Sequence, residues 1–312
     1  MPTKNAVLNR SLAQKTLQTL LRGTSNYATF DVVEETLQQK RELTIITSLA
    51  NPKIKEIVKL REGKYRRRMG KFLIDGLREL DRAMQAGVRI LEIFTDRPSI
   101  PHTTVPCTNG VVRQVTEQVM QKILFGDREE GFVAVAEEPV WSFDIFEKKI
   151  KSNPSPLLAV VEKIGNPGNL GAVFRSADAA GFDGVMIADS HVDPFHSNSI
   201  RSSMGTVFHL PMVSDSSAVL CRWLQEQEFQ IAAAWCNGDT VPYTAVDFCR
   251  ATAIVLGSEA EGLSSIWSNE NITSVTLPML GITDSLNVSV AAGILFYEAR
   301  RQRGFPLTTP SF

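Results

Sequence analysis

Three stretches of the 312-residue chain pair reactive residue types with backbone that can approach a ligand closely. The first is Gly165-Asn-Pro-Gly-Asn-Leu-Gly171, with Arg175 four residues beyond it. Asn169 offers an amide to a hydroxyl, and Arg175 offers a planar fork to phosphate or carboxylate. Both can approach one site if Asn169 precedes the following helix. The bland alternative has Asn169 capping that helix and Arg175 pairing with an acid. The second stretch, Ile254-Val-Leu-Gly-Ser-Glu-Ala-Glu-Gly-Leu-Ser264, reads as a strand ending in a glycine-flanked acidic turn. Glycines there let backbone come close to a ligand. Of its two acids, Glu259 is the candidate, and Glu261 reads as a solvated turn residue. The third runs from Thr273 to Glu298 as a strand at 274–277, a polar loop and an apolar helix starting at or just after Ser285. Ser285, Asn287 and Ser289 are polar residues in apolar company, and buried polar groups need partners. Asp284-Ser285 can cap the helix, or the loop backbone and helix N-terminus can hold a ligand.

A fourth stretch is charged. From Lys53 to Arg82 there are eleven Lys or Arg against five Asp or Glu, centred on Lys64-Tyr-Arg-Arg-Arg-Met-Gly-Lys71. The whole chain carries a formal charge of -1, so a uniformly basic nucleic-acid coat is excluded while a local one is not. Lys64, Arg66, Arg67 and Arg68 are candidate contacts to a phosphate backbone.

The elements that must position these residues alternate. Residues 1–42 form an extension with two weak helical patterns. Residues 43–150 read as a small α/β unit, with strands at 71–75, 90–94 and 131–136 and helices at 52–60, 76–86 and 116–124; 136–156 reads as a linker closing it. Residues 151–312 read as a second α/β unit with strands at 157–161, 184–188, 207–212, 230–234 and 252–256 ahead of the one at 274–277. Repeated strand–helix alternation implies a parallel sheet covered on both faces. The fully apolar 157–161 run is what such a buried strand needs. A 43% hydrophobic and 21% charged composition fits a soluble globular protein. Cys107, Cys221, Cys236 and Cys249 show no metal-ligand spacing and read as reduced core thiols. No apolar run reaches the length of a membrane span. The expectation is a cytoplasmic protein with no metal and no membrane contact. Residues 1–29 are basic and hydroxyl-rich, somewhat like an organelle transit peptide.

The Gly165–Gly171 loop between strand and helix, with Asp189 about twenty residues on, sketches a dinucleotide fingerprint. Its spacing is G-x-x-G-x-x-G, so an NAD-type oxidoreductase is a minor alternative.

Taken together, the Asn169/Arg175 loop, the Gly257–Ser264 turn and Leu277-Pro-Met-x-Gly followed by Ser285-Leu-Asn-Val-Ser289 resemble the three successive motifs of the SpoU (TrmH-like) family of RNA ribose 2′-O-methyltransferases. The resemblance covers 157–303. Ile200-Arg201-Ser-Ser-Met-Gly205 is similar to a segment that the family carries between its first two motifs. The resemblance implies an α/β knot, trefoil-knotted on a mostly parallel sheet, whose loops hold S-adenosylmethionine (AdoMet). By the same resemblance Leu256, Gly257, Leu277, Pro278, Met279, Ser285 and Leu286 would form the cofactor pocket. Asn169, Arg175, Glu259, Ser285 and Asn287 would be the catalytic group, Arg201 would join the RNA contacts, and a homodimer would complete the site. Residues around Gly70-Lys-Phe-Leu-Ile-Asp-Gly-Leu-Arg-Glu79 resemble the ribosomal-protein-like substrate-binding domain of many members, which favours ribosomal RNA over the tRNA alternative. A non-catalytic RNA-binding protein is a further alternative.

Methyl transfer from a sulfonium needs an in-line oxygen nucleophile and loss of the hydroxyl proton. None of the three motifs holds a histidine. The family assigns activation of the hydroxyl to the arginine of its first motif, here Arg175. Arginine stays protonated in proteins, so holding phosphate and stabilising a developing alkoxide is at least as strong a role for it.

Overall fold

The computed structural model describes residues 45–97, 111–126, 130–236, 238–258 and 260–305. The 1–42 extension and Glu259 lie outside the described residues. Two sheets organise the rest. The first has the order β1-β4-β2-β3, built from β1 (Lys71–Ile74), β2 (Ile90–Thr95), β3 (Val111–Gln114) and β4 (Phe132–Glu137). Strand β4 runs antiparallel to β1 and β2, and β3 pairs parallel to β2. Helices α1 (Pro52–Lys59), α2 (Gly63–Met69), α3 (Leu77–Gln85) and α4 (Glu117–Ile123) accompany it.

The second sheet holds β5 (Leu157–Glu162), β6 (Gly184–Ala188), β7 (Met212–Asp215), β8 (Gln230–Ala234), β9 (Val241–Pro242), β10 (Thr252–Leu256) and β11 (Ile272–Thr276). Its order is β7-β6-β5-β10-β8-β11-β9, with every pairing parallel. Every residue of β5, β6 and β10 is buried, as their apolar sequences require of central strands. Helices α5 (Phe143–Ile150), α6 (Pro167–Ala179), α7 (Ser197–Ser202), α8 (Ser217–Glu226) and α9 (Val288–Arg303) supply the cover. Thus the expected α/β class with a mostly parallel sheet is what forms. Among the described residues no helix is long and apolar enough to cross a membrane.

Four local expectations are corrected. The basic 63–69 stretch, unread as an element, is helix α2, stopped by Gly70 in the left-handed region at φ 58°. The expected linker contains α5, whose Phe146 and Ile150 are buried in the core beneath the second sheet. Its tight seat is visible at Gly184, where an added Cβ would stand 2.6 Å from the Phe146 ring. The strand expected at 207–212 begins only at Met212, because Thr206–Phe208 turn as a short 3-10 helix and Pro211 cannot donate to a ladder. Helix α9 starts at Val288 rather than near Ser285, because Asn287 is its cap: the Asn287 Oδ1 accepts from the Ser289 amide at 3.0 Å.

One buried apolar cluster runs continuously from Phe72, Ile74 and Leu80 of the first unit to Phe195, Phe208 and the β5–β6 face of the second. Phe72 stacks on Phe195 at 4.9 Å and on Phe208 at 5.6 Å between ring centres. The first sheet is therefore packed against the second, with α5 part of the fold.

Phe146→Ala is expected to lower the unfolding free energy in denaturant titration by about 3–5 kcal/mol, the usual cost of emptying a buried phenyl site. A change within about 0.5 kcal/mol, the surface-substitution range, would instead return 143–150 to linker status.

Candidate active site: a cavity at the carboxyl ends of β8, β10 and β11

In a parallel sheet the carboxyl ends of the strands open into loops that can hold a ligand. Here a cavity of about 660 Å³ lies beyond β8, β10 and β11. Leu256 and Gly257 leave β10 into it, Leu277 and Met279 leave β11, and Ser285 and Leu286 close the far side before α9. Six of the seven expected pocket residues therefore meet there. Pro278 is exposed and is not part of the lining. Trp235 and Cys236 also line it, directly after β8. Their residue types give no reason to single them out; the signal that could find them is their place just past the end of a strand. Of the described cysteines only Cys221 is buried, so Cys236 and Cys249 are not core thiols.

The Gly257–Ser264 turn is shaped by two constraints. Ser258 and Gly262 bond amide to carbonyl in both directions, at 3.0 and 3.2 Å. The turn thereby folds back on Gly257, where a Cβ would meet the Gly262 carbonyl carbon at 2.4 Å; only glycine fits. The second constraint is Glu162, the last residue of β5 and fully buried. Its carboxylate accepts from the Ser264 amide (2.6 Å), the Ser264 hydroxyl (2.6 Å), the Ser217 hydroxyl (2.5 Å) and the Trp267 indole N–H (3.0 Å). It pins the turn, the start of α8 and the Ser265–Trp267 helical turn to one point. Glu261, expected to be a solvated turn residue, is exposed, and its Oε2 accepts from Lys163 Nζ at 3.1 Å. That bond holds the Lys163 ammonium above the usual lysine range.

The remaining site residues lie around the start of α9. Asn287 Nδ2 donates to Asn169 Oδ1 at 3.3 Å, and the Asn287 Oδ1 also accepts from the Ser289 hydroxyl at 2.6 Å. The structure thus brings the first and third motifs into contact. Asn169 does not precede the helix. Asn166 caps α6, its Oδ1 accepting from the Gly168 amide at 2.7 Å, and Asn169 stands in the first turn. Six residues of helix then set Arg175 roughly 9 Å along the axis from Asn169 and about 120° around it. Arg175 is exposed, and no partner for it is found among the described residues. Ser285 is exposed at the cavity wall.

The dinucleotide alternative fails on geometry. Gly171 presses α6 onto α7, where a Cβ would lie 2.0 Å from the Ser202 hydroxyl. Asp189, the would-be ribose acid, instead accepts from the Ser217 amide at 3.0 Å. Hydrogen bonds from Ser217 hold that carboxyl below the usual carboxylate range.

The basic stretch separates into two sets. Lys64, Arg67 and Arg68 are exposed on α2, and Arg68 stacks over Tyr65 at 4.8 Å. Arg66 is corrected as a phosphate contact: it is 3% exposed and its Nε donates to Asp193 Oδ2 at 2.6 Å. Arg201 is likewise engaged, donating to the Phe125 carbonyl at 2.6 Å and to Asp75 Oδ2 at 3.3 Å. Among the described residues no acid, histidine and cysteine group could hold a metal ion.

Glu162→Ala strands several buried donors, each costing about 1–3 kcal/mol, so a loss of roughly 3–5 kcal/mol of stability is expected in denaturant titration. A loss below about 0.5 kcal/mol would mean that the four donors find other partners at no cost.

Comparison with known proteins places this geometry. The profile of the SpoU rRNA Methylase family matches residues 156–297, and that of the MRM3-like substrate binding domain matches 51–134. A 23S rRNA (uridine(2479)-2′-O)-methyltransferase of Streptomyces viridochromogenes is 30% identical over 78% of this chain and 88% of its own length. A crystal structure of an RNA 2′-O ribose methyltransferase superposes with a TM-score of 0.72 at 36% identity, over 83% of this chain and 99% of that one. An AdoMet-bound rRNA methyltransferase from Sinorhizobium meliloti gives 0.73 at 28% identity, over 83% and 97%. The chain belongs to the SpoU rRNA methylase family.

Proposed function

We propose that the protein transfers a methyl group from AdoMet to a ribose 2′-hydroxyl in large-subunit (23S-type) ribosomal RNA. One observation carries the reading: the Asn169–Asn287 contact joins the first and third motifs beside the cavity at the strand ends. The substrate class is supported by the relative named for 23S rRNA and by the substrate-binding profile over 51–134; tRNA is the second choice.

The cavity fits the cofactor. Its volume lies in the range of small-molecule sites. Its lining joins apolar residues such as Leu256, Leu277 and Leu286 to Gly257 and Gly262, which have only backbone to present, suited to a nucleoside carrying an amino-acid tail. When bound, AdoMet supplies a sulfonium methyl group open to in-line attack. The chain's part is to hold the hydroxyl in line and to stabilise the charge that develops on it. Asn287, fixed by the α9 cap and by Asn169, orients polar groups of the ribose. Arg175 takes the adjacent phosphate and faces the developing alkoxide. Ser285 lies between the cofactor loop and the ribose, and Glu259 completes the catalytic group by resemblance.

A homodimer is part of the proposal. Val290, Ile294 and Tyr297 are exposed on α9 at helical spacing, and Leu280 and Ile282 stand almost fully exposed on the loop before it. Covering that face with a second copy would bury it and bring further groups to the exposed Arg175. The division at residues 42 and 150 and a knot in which the C-terminal segment threads through a loop belong to the same proposal, as does a cytoplasmic location.

Arg175→Ala is expected to reduce methyl transfer by about 10²–10³-fold or more while AdoMet affinity by calorimetry stays within about twofold. Arg175→Lys keeps the charge and loses the fork, so retained binding with lost activity would assign the role to fork geometry. Loss of AdoMet binding in Arg175→Ala would instead move this residue into the cofactor pocket.

A further inference from the structure

Two arginines of the basic and motif-like stretches, Arg66 buried and Arg201 part-exposed, bind the first unit to the second. Arg66 sits in the same seven-residue helix as the exposed Lys64, Arg67 and Arg68. Its guanidinium reaches Asp193, and its Nη1 also donates to the carbonyls of Leu60 and Arg61 at 2.9 and 2.8 Å. Asp193 lies just ahead of α7 and is itself fixed, its Oδ1 accepting from the Phe195 amide at 2.8 Å. At the other end of α7, Arg201 holds Asp75 and the Phe125 carbonyl of the first unit. The turn after α7 is gripped as well: Arg82 Nη1 donates to the Met204 carbonyl at 2.6 Å. There Gly205, at φ 86°, lets α3 approach so closely that a Cβ would stand 3.3 Å from the Glu79 Cα. On its opposite side α7 is pressed on α6, with Gly171 against Ser199, Ser202 and Ser203. Helix α6 carries Asn169 and Arg175.

We propose that the 193–205 segment is a rigid coupler between the basic face of α2 and the catalytic helix α6, with Arg66, Asp193, Asp75, Arg201 and Arg82 as positioning residues. The inference rests on RNA being the substrate. Contacts at both ends of α7 and on the turn after it leave the segment no freedom to rotate between the two units. The Arg66–Asp193 pair is buried on both sides, and a buried pair can fix one arrangement without adding stability. The exposed cations on α2 then stand at a set distance from the reacting ribose. That spacing, rather than base contacts alone, selects which nucleotide reaches Arg175.

The test uses the full chain with a ribosomal RNA fragment containing its target. Arg201→Gln and Arg82→Met are expected to raise the KM for RNA by roughly tenfold and to spread ribose methylation to neighbouring nucleotides. AdoMet affinity, and kcat at saturating RNA, should change by less than about twofold. Arg201→Lys should recover part of the KM, and Asp75→Asn combined with Arg201→Gln should do no more damage than either alone. A KM and a methylation pattern identical to the parent in both Arg201→Gln and Arg82→Met would overturn the coupler. So would a loss of activity that only tracks melting temperature and AdoMet affinity. If the parent chain methylates no RNA, the functional reading itself falls, a result distinct from an active parent whose variants are unaffected.

Discussion

The buried carboxylate of Glu162 is the constraint on which the site depends. It ends the central strand β5, where bulk water is absent, and it is stable there because four donors converge on it. A buried anion without such partners would be untenable. The donors come from the start of α8, from Ser264 and from Trp267, so satisfying one charge also fixes the path of three chain segments. The Gly257–Gly262 turn is the one most affected. Its end is held at Ser264, its middle folds back on itself, and Gly257 has no room for a side chain. Backbone groups are thereby presented to the cavity without a flexible side chain between.

The second constraint is the sheet. Seven parallel strands send all their carboxyl ends the same way, and three of them, β8, β10 and β11, open around the cavity. The chain then returns through the 277–287 loop into α9, and Asn287 caps this helix while touching Asn169 on α6. One side chain thus does two jobs, ending the loop that lines the cavity and linking it to the helix that carries Arg175. Polar residues in an apolar setting are expected when a cap and a ligand contact coincide.

Much of this was legible in the sequence, for physical reasons. Buried parallel strands show as unbroken apolar runs, so β5, β6, β8 and β10 were placed within a residue or so at each end. The pocket residues after β10 and β11 came from the family resemblance, and Glu162 went unremarked because one acid at a strand end carries no signal until its donors are known. Elements set by tertiary contact were less visible. Helix α5 is held by the seat of Phe146 against Gly184, and the delay of β7 to Met212 by a turn and a proline. The cap of α9 was hard to place because three polar residues within four positions, Asp284, Ser285 and Asn287, could each have served. The basic stretch misled most: charge density cannot tell Arg67, which faces solvent, from Arg66 beside it, which turns inward to Asp193.

The most direct measurement is a nucleotide-resolution map of ribose methylation on large-subunit ribosomal RNA incubated with the protein and AdoMet. The account predicts a 2′-O-methyl group at a defined nucleotide, dependent on AdoMet and absent with Arg175→Ala. Methylation of a base, of tRNA alone, or of no nucleotide would contradict it.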